Sequence, residues 1–257
     1  MLLFRYGPEG FYAAGESLPE ARVLYSDPLS TPPSQWELGR TVDLSLEALR
    51  APVVPGKIVG IGRNYREHAA ELGNPMPPEP VLFLKATSSV IGPGTPIVLP
   101  PESQRVEHEG EVAVVVRERL TRASREQARH ALLGVTCACD VTARDLQKKD
   151  VTFARAKSFD TFCPLGPALA VGFRDEPWEV ITRVSGVERQ RGSTADMEWG
   201  PLELLVYVSR MMTLEPGDVV LTGTPSGVGP LVDGDRVEVE IPGVGILANP
   251  VETWRLG

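Results

Sequence analysis

Two kinds of apolar run stand out along the chain. In residues 237–241, Val-Glu-Val-Glu-Ile, apolar and acidic positions alternate, as in a strand with one face on the core and one in water. In residues 111–116, Glu-Val-Ala-Val-Val-Val, the positions after the glutamate are apolar on both faces, which predicts a strand buried on both sides. Residues 135–141, Val-Thr-Cys-Ala-Cys-Asp-Val, read with the same period of two. Val135, Cys137, Cys139 and Val141 share one face, and Thr136, Ala138 and Asp140 take the other.

The rest of the pattern predicts short strands and few helices. Strands are expected at 2–6, 11–14 and 23–25, followed by a proline-rich loop at Pro32 and Pro33, with a boundary near Pro52 and Pro55. A buried strand at 57–61 leads into a helix at 64–72, with Asn64 as its N-cap and Gly73 as its stop. Pro75, Pro77, Pro78 and Pro80 hold an extended loop before a strand at 81–85. Ser124 and Gln127 form a capping-box pattern for a helix ending at Gly134. Pro201 opens another helix, to about Met212, with Leu202, Leu205, Val206 and Ser209 on one face. Strands at 219–222, 237–241 and 245–249 complete the chain. The expected class is a β-dominated α+β fold, without the βαβ alternation of a Rossmann or TIM architecture. Its expected division is a small N-terminal β subdomain over 1–52 and a main domain over 53–257.

Composition narrows the classes. A chain of 257 residues with 42% hydrophobic content can bury a large core. The 24 prolines and 25 glycines are dispersed, which fits many tight turns rather than a disordered tail. A formal charge of −8 argues against a nucleic-acid partner. No apolar run reaches the length of a membrane helix, and the N-terminus has no signal-peptide pattern. Three cysteines without a Cys-x-x-Cys pair point to a reducing cytoplasm and to packing roles for the thiols.

The candidate chemistry begins at Glu109 and Glu111, which share a strand face and repel one another unless something positive lies between them. Alternating glutamates are also common on solvated strands, but here the continuation is apolar on both faces. A divalent cation is the simplest candidate, with Asp140 completing its cage; an all-oxygen set suits Mg²⁺, Mn²⁺ or Ca²⁺ and disfavours structural Zn²⁺. His108 falls on the opposite face, and His130 belongs to a polar, solvent-facing helix surface. His68 and Glu71 are three apart on the 64–72 helix, so they share a face and together can hold and deprotonate a water; a chance polar pair on a surface helix has the same spacing. The proline-rich flank suggests a lid. Lys85 ends an apolar strand, where burial requires an anionic partner. Lys157 lies in Ala-Arg-Ala-Lys-Ser, and Arg144 and Gln147 stand at helical spacing. Residues 60–65 lack the third glycine and βαβ context of a dinucleotide fingerprint. The glycine-rich loop 221–229 either cradles an anion such as a carboxylate or is a turn.

The motifs Ile61-Gly-Arg-Asn-Tyr65, His68-x-x-Glu71, Val81-Leu-Phe-Leu-Lys85, Glu109-x-Glu111, Asp140-Val-Thr-Ala-Arg-Asp-Leu-Gln147, Ala156-Lys-Ser-Phe159 and Leu221-Thr-Gly-Thr-Pro-Ser-Gly-Val-Gly229 occur in order. Together they resemble the fumarylacetoacetate hydrolase superfamily, from about Lys57 to near the C-terminus. The resemblance implies a mixed β-sandwich roll, usually a homodimer, with Mg²⁺ or Mn²⁺ held by Glu109, Glu111 and Asp140. It implies a water-activating His68/Glu71 dyad on a lid, a catalytic Lys157, and a substrate pocket lined by Lys85, Arg144, Gln147, Lys157 and Thr224. It also implies a 2-oxo or enol acid substrate that chelates the metal. The chain looks most like the 2-hydroxyhepta-2,4-diene-1,7-dioate isomerase/decarboxylase branch of aromatic catabolism. Acylpyruvate hydrolysis and oxaloacetate decarboxylation are the alternatives within the family. A non-catalytic metal- and carboxylate-binding protein is the alternative of another class.

Overall fold

The computed structural model describes residues 1–255, so the last two positions of the expected 53–257 domain lie outside the described residues. Its frame is a twelve-stranded sheet. The main path runs through Leu38–Asp43, Glu20–Leu24, Phe11–Gly15, Leu2–Tyr6, Cys163–Val171, Leu132–Cys139, Gly110–Val116, Val219–Leu221, Ile58–Gly62 and Val81–Lys85. Leu2–Tyr6 pairs antiparallel with Cys163–Val171, so the first strands continue the same sheet. The sheet is mixed, because Val219–Leu221 runs parallel to Ile58–Gly62. A five-stranded sheet, in the order Val187–Ser193, Glu179–Val184, Arg236–Ile241, Gly245–Thr253 and Ile97–Leu99, packs on one of its faces. The β-dominated α+β architecture is as expected.

The two apolar faces go to two different cores. Val112, Val114 and Val116 pack with Val135, Cys137, Cys139 and Val141 against Val180, Val239 and Ile241 of the smaller sheet. Ala113 and Val115 face the other way, towards Leu133, Ala138, Leu165 and Leu169. Each such valine contributes about 1.5–3 kcal/mol of burial. The strand Gly110–Val116 is therefore anchored on both sides, and whatever stands at its start has little freedom to move. The contrasting run Arg236–Ile241 buries Val237, Val239 and Ile241 and leaves Glu238 and Glu240 partly exposed.

Three local expectations are corrected. The capping box at Ser124 forms, with Ser124 Oγ accepting from Gln127 N at 3.2 Å, but the helix it starts is Arg125–Ala131. Gly134 lies instead inside the strand Leu132–Cys139, where an added Cβ would fall 2.1 Å from Ala170 O. Glycine is needed there because a neighbouring backbone passes close by, not because a helix ends. The helix after Ile58–Gly62 is Arg66–Glu71, and its N-cap Tyr65 supplies no side-chain cap. The buried Asn64 amide donates to Trp199 O at 3.0 Å and Thr222 O at 2.7 Å, tying three segments together. The helix Pro201–Met211 buries Leu202, Leu204, Leu205, Val208 and Ser209, with Val206 at the margin. No helix among the described residues is long and apolar enough to cross a membrane.

Substituting Gly134→Ala should lower unfolding stability by about 1–3 kcal/mol, the usual effect of overpacking a rigid core. Urea denaturation measures it, and an unchanged midpoint would contradict the close approach of the two strands.

Candidate active site

The site forms where two doubly buried strands end. The ladder pairs Gly110 with Cys139 and Glu111 with Ala138, and Asp140 N donates to Glu109 O at 2.8 Å. Glu109, Glu111 and Asp140 consequently converge on one side of the sheet, each offering a carboxylate oxygen within 4.8 Å of the others. The thiols of Cys137 and Cys139 belong to the opposite core, and burial pushes both up to about 12. The cluster itself is all oxygen.

Cations meet these carboxylates from three directions. Lys157, ending the short helix Ala154–Lys157, donates to Glu109 Oε2 at 2.7 Å and Asp140 Oδ2 at 2.6 Å, and lies 4.9 Å from the centre of the Phe83 ring. Lys85 donates to Asp140 Oδ1 at 2.6 Å and Val141 O at 3.3 Å. Arg144, opening the helix Arg144–Lys149, donates to Glu107 Oε2 and to Gln147 Oε1, both at 2.6 Å, and also to Glu109 Oε1. Among the described residues Glu111 meets no side-chain cation; its Oε2 accepts from the backbone N–H of Gly223 at 2.7 Å.

The charges do not balance. Glu107, Glu109, Glu111 and Asp140 are all buried, against only Lys85, Arg144 and Lys157, while Arg105 reaches Glu107 from the exposed rim. Burial raises the Glu109 carboxyl, but Lys157, Arg144 and His68 together outweigh it and hold it well below the ordinary range. Glu111 is pushed well above that range, first by burial and then by the charges of Asp140 and Glu109. A hard divalent cation fits this set: the donors are all oxygen, and the carboxyl without a cationic side chain is one of the three.

A cavity of about 420 Å³ opens over the cluster. Its lining includes His68, Glu71, Glu109, Glu111, Arg144, Gln147, Lys157 and Thr224 of the expected site residues. Asp140 and Lys85 stand behind this lining. The Lys85 ammonium is buried against Asp140, the anionic partner that its place at the end of an apolar strand requires. His68 Nδ1 lies 3.3 Å from Glu71 Oε2, and Glu71 in turn accepts from Gly227 N at 3.0 and 3.2 Å. The glycine-rich loop does cradle carboxylates, but they are the protein's own: Gly223 holds Glu111 and Gly227 holds Glu71. Both glycines have positive φ, +99° and +100°, which side chains rarely adopt.

Some participants were not anticipated. Glu107 shares a strand face with Glu109 and Glu111, so the period of two already pointed to it. Arg63 lines the cavity with φ of 59°, an uncommon conformation for a non-glycine residue. Phe83 and Phe153 supply an aromatic wall, with ring centres 5.8 Å apart. His108 is buried away from the cavity, and His130 is exposed, both as expected.

These shifts predict a pH dependence for the metal-free chain. Glu107 is raised by burial but lowered overall by Arg144 and Arg105, and Glu109 is also lowered, so both stabilise the fold above the ordinary value of 4.5. That contribution is lost as the pH falls below 4.5 through their folded values. Glu111 acts in the opposite sense: its contribution is present at low pH and lost as the pH rises through its raised value. Urea midpoints should show Glu107→Gln flattening the limb below 4.5 and Glu111→Gln flattening the limb above it. Slopes unchanged by both substitutions would contradict the assignment.

Relatives share this architecture. A 5-carboxymethyl-2-hydroxymuconate delta-isomerase from Mycobacterium smegmatis superposes with a TM-score of 0.88 at 37% identity, covering 99% of this chain and 100% of that one. A 2-hydroxyhepta-2,4-diene-1,7-dioate isomerase from Mycobacterium marinum gives 0.87 at 37%, covering 98% of each. An oxaloacetate tautomerase from Bacillus subtilis is 41% identical over 84% of this chain and 77% of its own length. Residues 57–252 match the sequence profile described as the fumarylacetoacetate (FAA) hydrolase C-terminal region, and with the ordered motifs and the shared fold this places the chain in the fumarylacetoacetate hydrolase superfamily.

Proposed function

We propose that this chain is a Mg²⁺-dependent enzyme, with Mn²⁺ as the alternative ion, that moves protons on 2-oxo and 2-hydroxy-dienoic dicarboxylic acids through an enolate. The reading is of the 2-hydroxyhepta-2,4-diene-1,7-dioate isomerase/decarboxylase type. The observation that carries it is the opening of the His68/Glu71 pair and the carboxylate cluster onto one cavity. Glu109, Glu111 and Asp140 are the residues that would hold the ion. A bound divalent cation supplies positive charge for the oxygens of a 2-oxo acid and so stabilises the enolate.

The chain's own groups do the rest. Gly227 fixes Glu71, and Glu71 fixes His68 through Nδ1. This leaves Nε2, which has no protein partner among the described residues, to take a proton from the carbon beside the 2-oxo group and return it elsewhere. Lys157 bridges Glu109 and Asp140 and helps keep the Glu109 carboxyl ionised at neutral pH, and Phe83 and Phe153 keep water from one wall. The side chains of Arg63 and Lys148 line the cavity and form no ion pair or hydrogen bond among the described residues, so two positive charges remain for a second carboxylate. Relatives named as isomerases and tautomerases of 2-oxo and enol acids support proton transfer. C–C hydrolysis of an acylpyruvate is the second reading, favoured by the same dyad's ability to hold and deprotonate a water. The Exiguobacterium antarcticum fumarylacetoacetate hydrolase, 34% identical, bears the corresponding name.

The test is a Mg²⁺-supplemented panel of oxaloacetate, acetylpyruvate, fumarylpyruvate and 2-hydroxyhepta-2,4-diene-1,7-dioate, with products identified. Isomerisation or decarboxylation of the diene-dioate is expected, with EDTA or Asp140→Ala abolishing turnover. Cleavage of the acylpyruvates alone would favour the second reading; full activity in EDTA would sink the metal-dependent scheme, and oxalate binding without any turnover would leave a binding protein. His68→Ala should slow proton transfer about 10²–10⁴-fold while Mg²⁺ affinity stays unchanged. Calorimetry alongside the assay separates the two effects.

A further inference from the structure

The outlying strand Val187–Ser193 is an edge of the five-stranded sheet, and Gln190 is its one buried residue, 1% exposed. An amide buried in an otherwise exposed strand needs partners, and Gln190 uses its full capacity. Its Nε2 donates to Thr224 Oγ1 and Pro225 O, both at 2.8 Å. Its Oε1 accepts from Gly110 N at 2.9 Å and lies 3.2 Å from His108 Nδ1. Thr224 Oγ1 donates to Gly110 O at 2.8 Å.

These bonds close a ring around one peptide residue. Gly110 N–H donates to Gln190, Gln190 donates to Thr224, and Thr224 donates back to Gly110 C=O. Two backbone partners fix the orientation of the amide, because Gly110 N–H requires its oxygen and Pro225 C=O requires its nitrogen. The direction of every proton in the ring follows, and His108 Nδ1 must carry its hydrogen. Gly110 stands between the paired glutamates on the face turned towards the smaller sheet. A Cβ there would lie 1.8 Å from Thr182 Oγ1, so only glycine admits this approach. Through Thr224 and Pro225 the same amide steadies the loop whose Gly223 N–H holds Glu111.

We propose that Gln190 is a positioning residue for the carboxylate centre. Ringed with Thr224 around Gly110, it sets the relative aim of Glu109 and Glu111 and thereby the affinity for a divalent cation. This rests on the reading that the triad binds such an ion. The role differs from that of an ordinary buried amide, which would affect folding alone.

The test is Mn²⁺ titration of the full-length protein without substrate, by calorimetry and electron paramagnetic resonance, beside thermal melting. Gln190→Met should weaken Mn²⁺ binding about 10–100-fold, the usual effect of losing a partner behind the ligands. Thr224→Val breaks the same ring at another point and should match it, which keeps the test informative where Gln190→Met does not fold. Thr224→Ser keeps the hydroxyl and should retain wild-type affinity. The double variant Gln190→Met/Thr224→Val should bind no more weakly than either single one. Wild-type affinity in Gln190→Met with only a lower melting temperature overturns the proposal, as does an additive double variant. A wild-type protein that binds no Mn²⁺ or Mg²⁺ overturns the metal reading itself and the proposal with it.

Discussion

Everything in this site depends on burying four carboxylates at the end of a sandwich core. Isolated charges of that kind are not tolerated away from water. Lys157 spans Glu109 and Asp140, Lys85 closes on Asp140 from behind, and Arg144 joins Glu107 to Glu109. The elements that bring these cations are short and otherwise weak: a one-turn helix, an edge strand and the first residue of a six-residue helix. Strand pairing with Ile58–Gly62 and the buried Leu146 and Ala156 seat these elements, and the ion pairs add to that hold. Core packing fixes the carboxylates, and the carboxylates help fix the periphery.

That order of dependence explains what the chain discloses before it is folded. The triad was legible because Glu109, Glu111 and Asp140 terminate runs that are apolar on both faces, and a period of two places them on one side. The His68/Glu71 pair was legible from helical spacing. Glu107 carries the same signal, since positions 107, 109 and 111 share a face. Gln190 left no comparable trace. It sits in Val-Glu-Arg-Gln-Arg, a polar stretch whose single buried position is decided by a contact with Gly110 eighty residues away in sequence.

The local misreadings have a common physical origin. Asn64 and Gly134 carry the residue types of a helix cap and a helix stop, and local propensity favours those uses. Both are claimed by long-range demands instead. Asn64 bridges backbone carbonyls from distant segments, and Gly134 leaves room for the Ala170 carbonyl of a neighbouring strand. Lys85 is the contrasting case: a lysine ending an apolar strand needs an anion, and the buried Asp140 supplies it.

The loop 221–229 holds Glu111 with one glycine N–H and Glu71 with another, four residues further on. One short stretch of backbone is thus a common mount for a carboxylate of the acidic cluster and for the partner of the histidine. Shifting it to retune either would disturb both, so the two groups cannot diversify independently. Freedom to vary is left to side chains around the cavity that carry no such double duty, notably Arg63, Lys148 and Phe153. The shared backbone ties these two carboxylates together, and the side chains that only line the cavity stand apart from it.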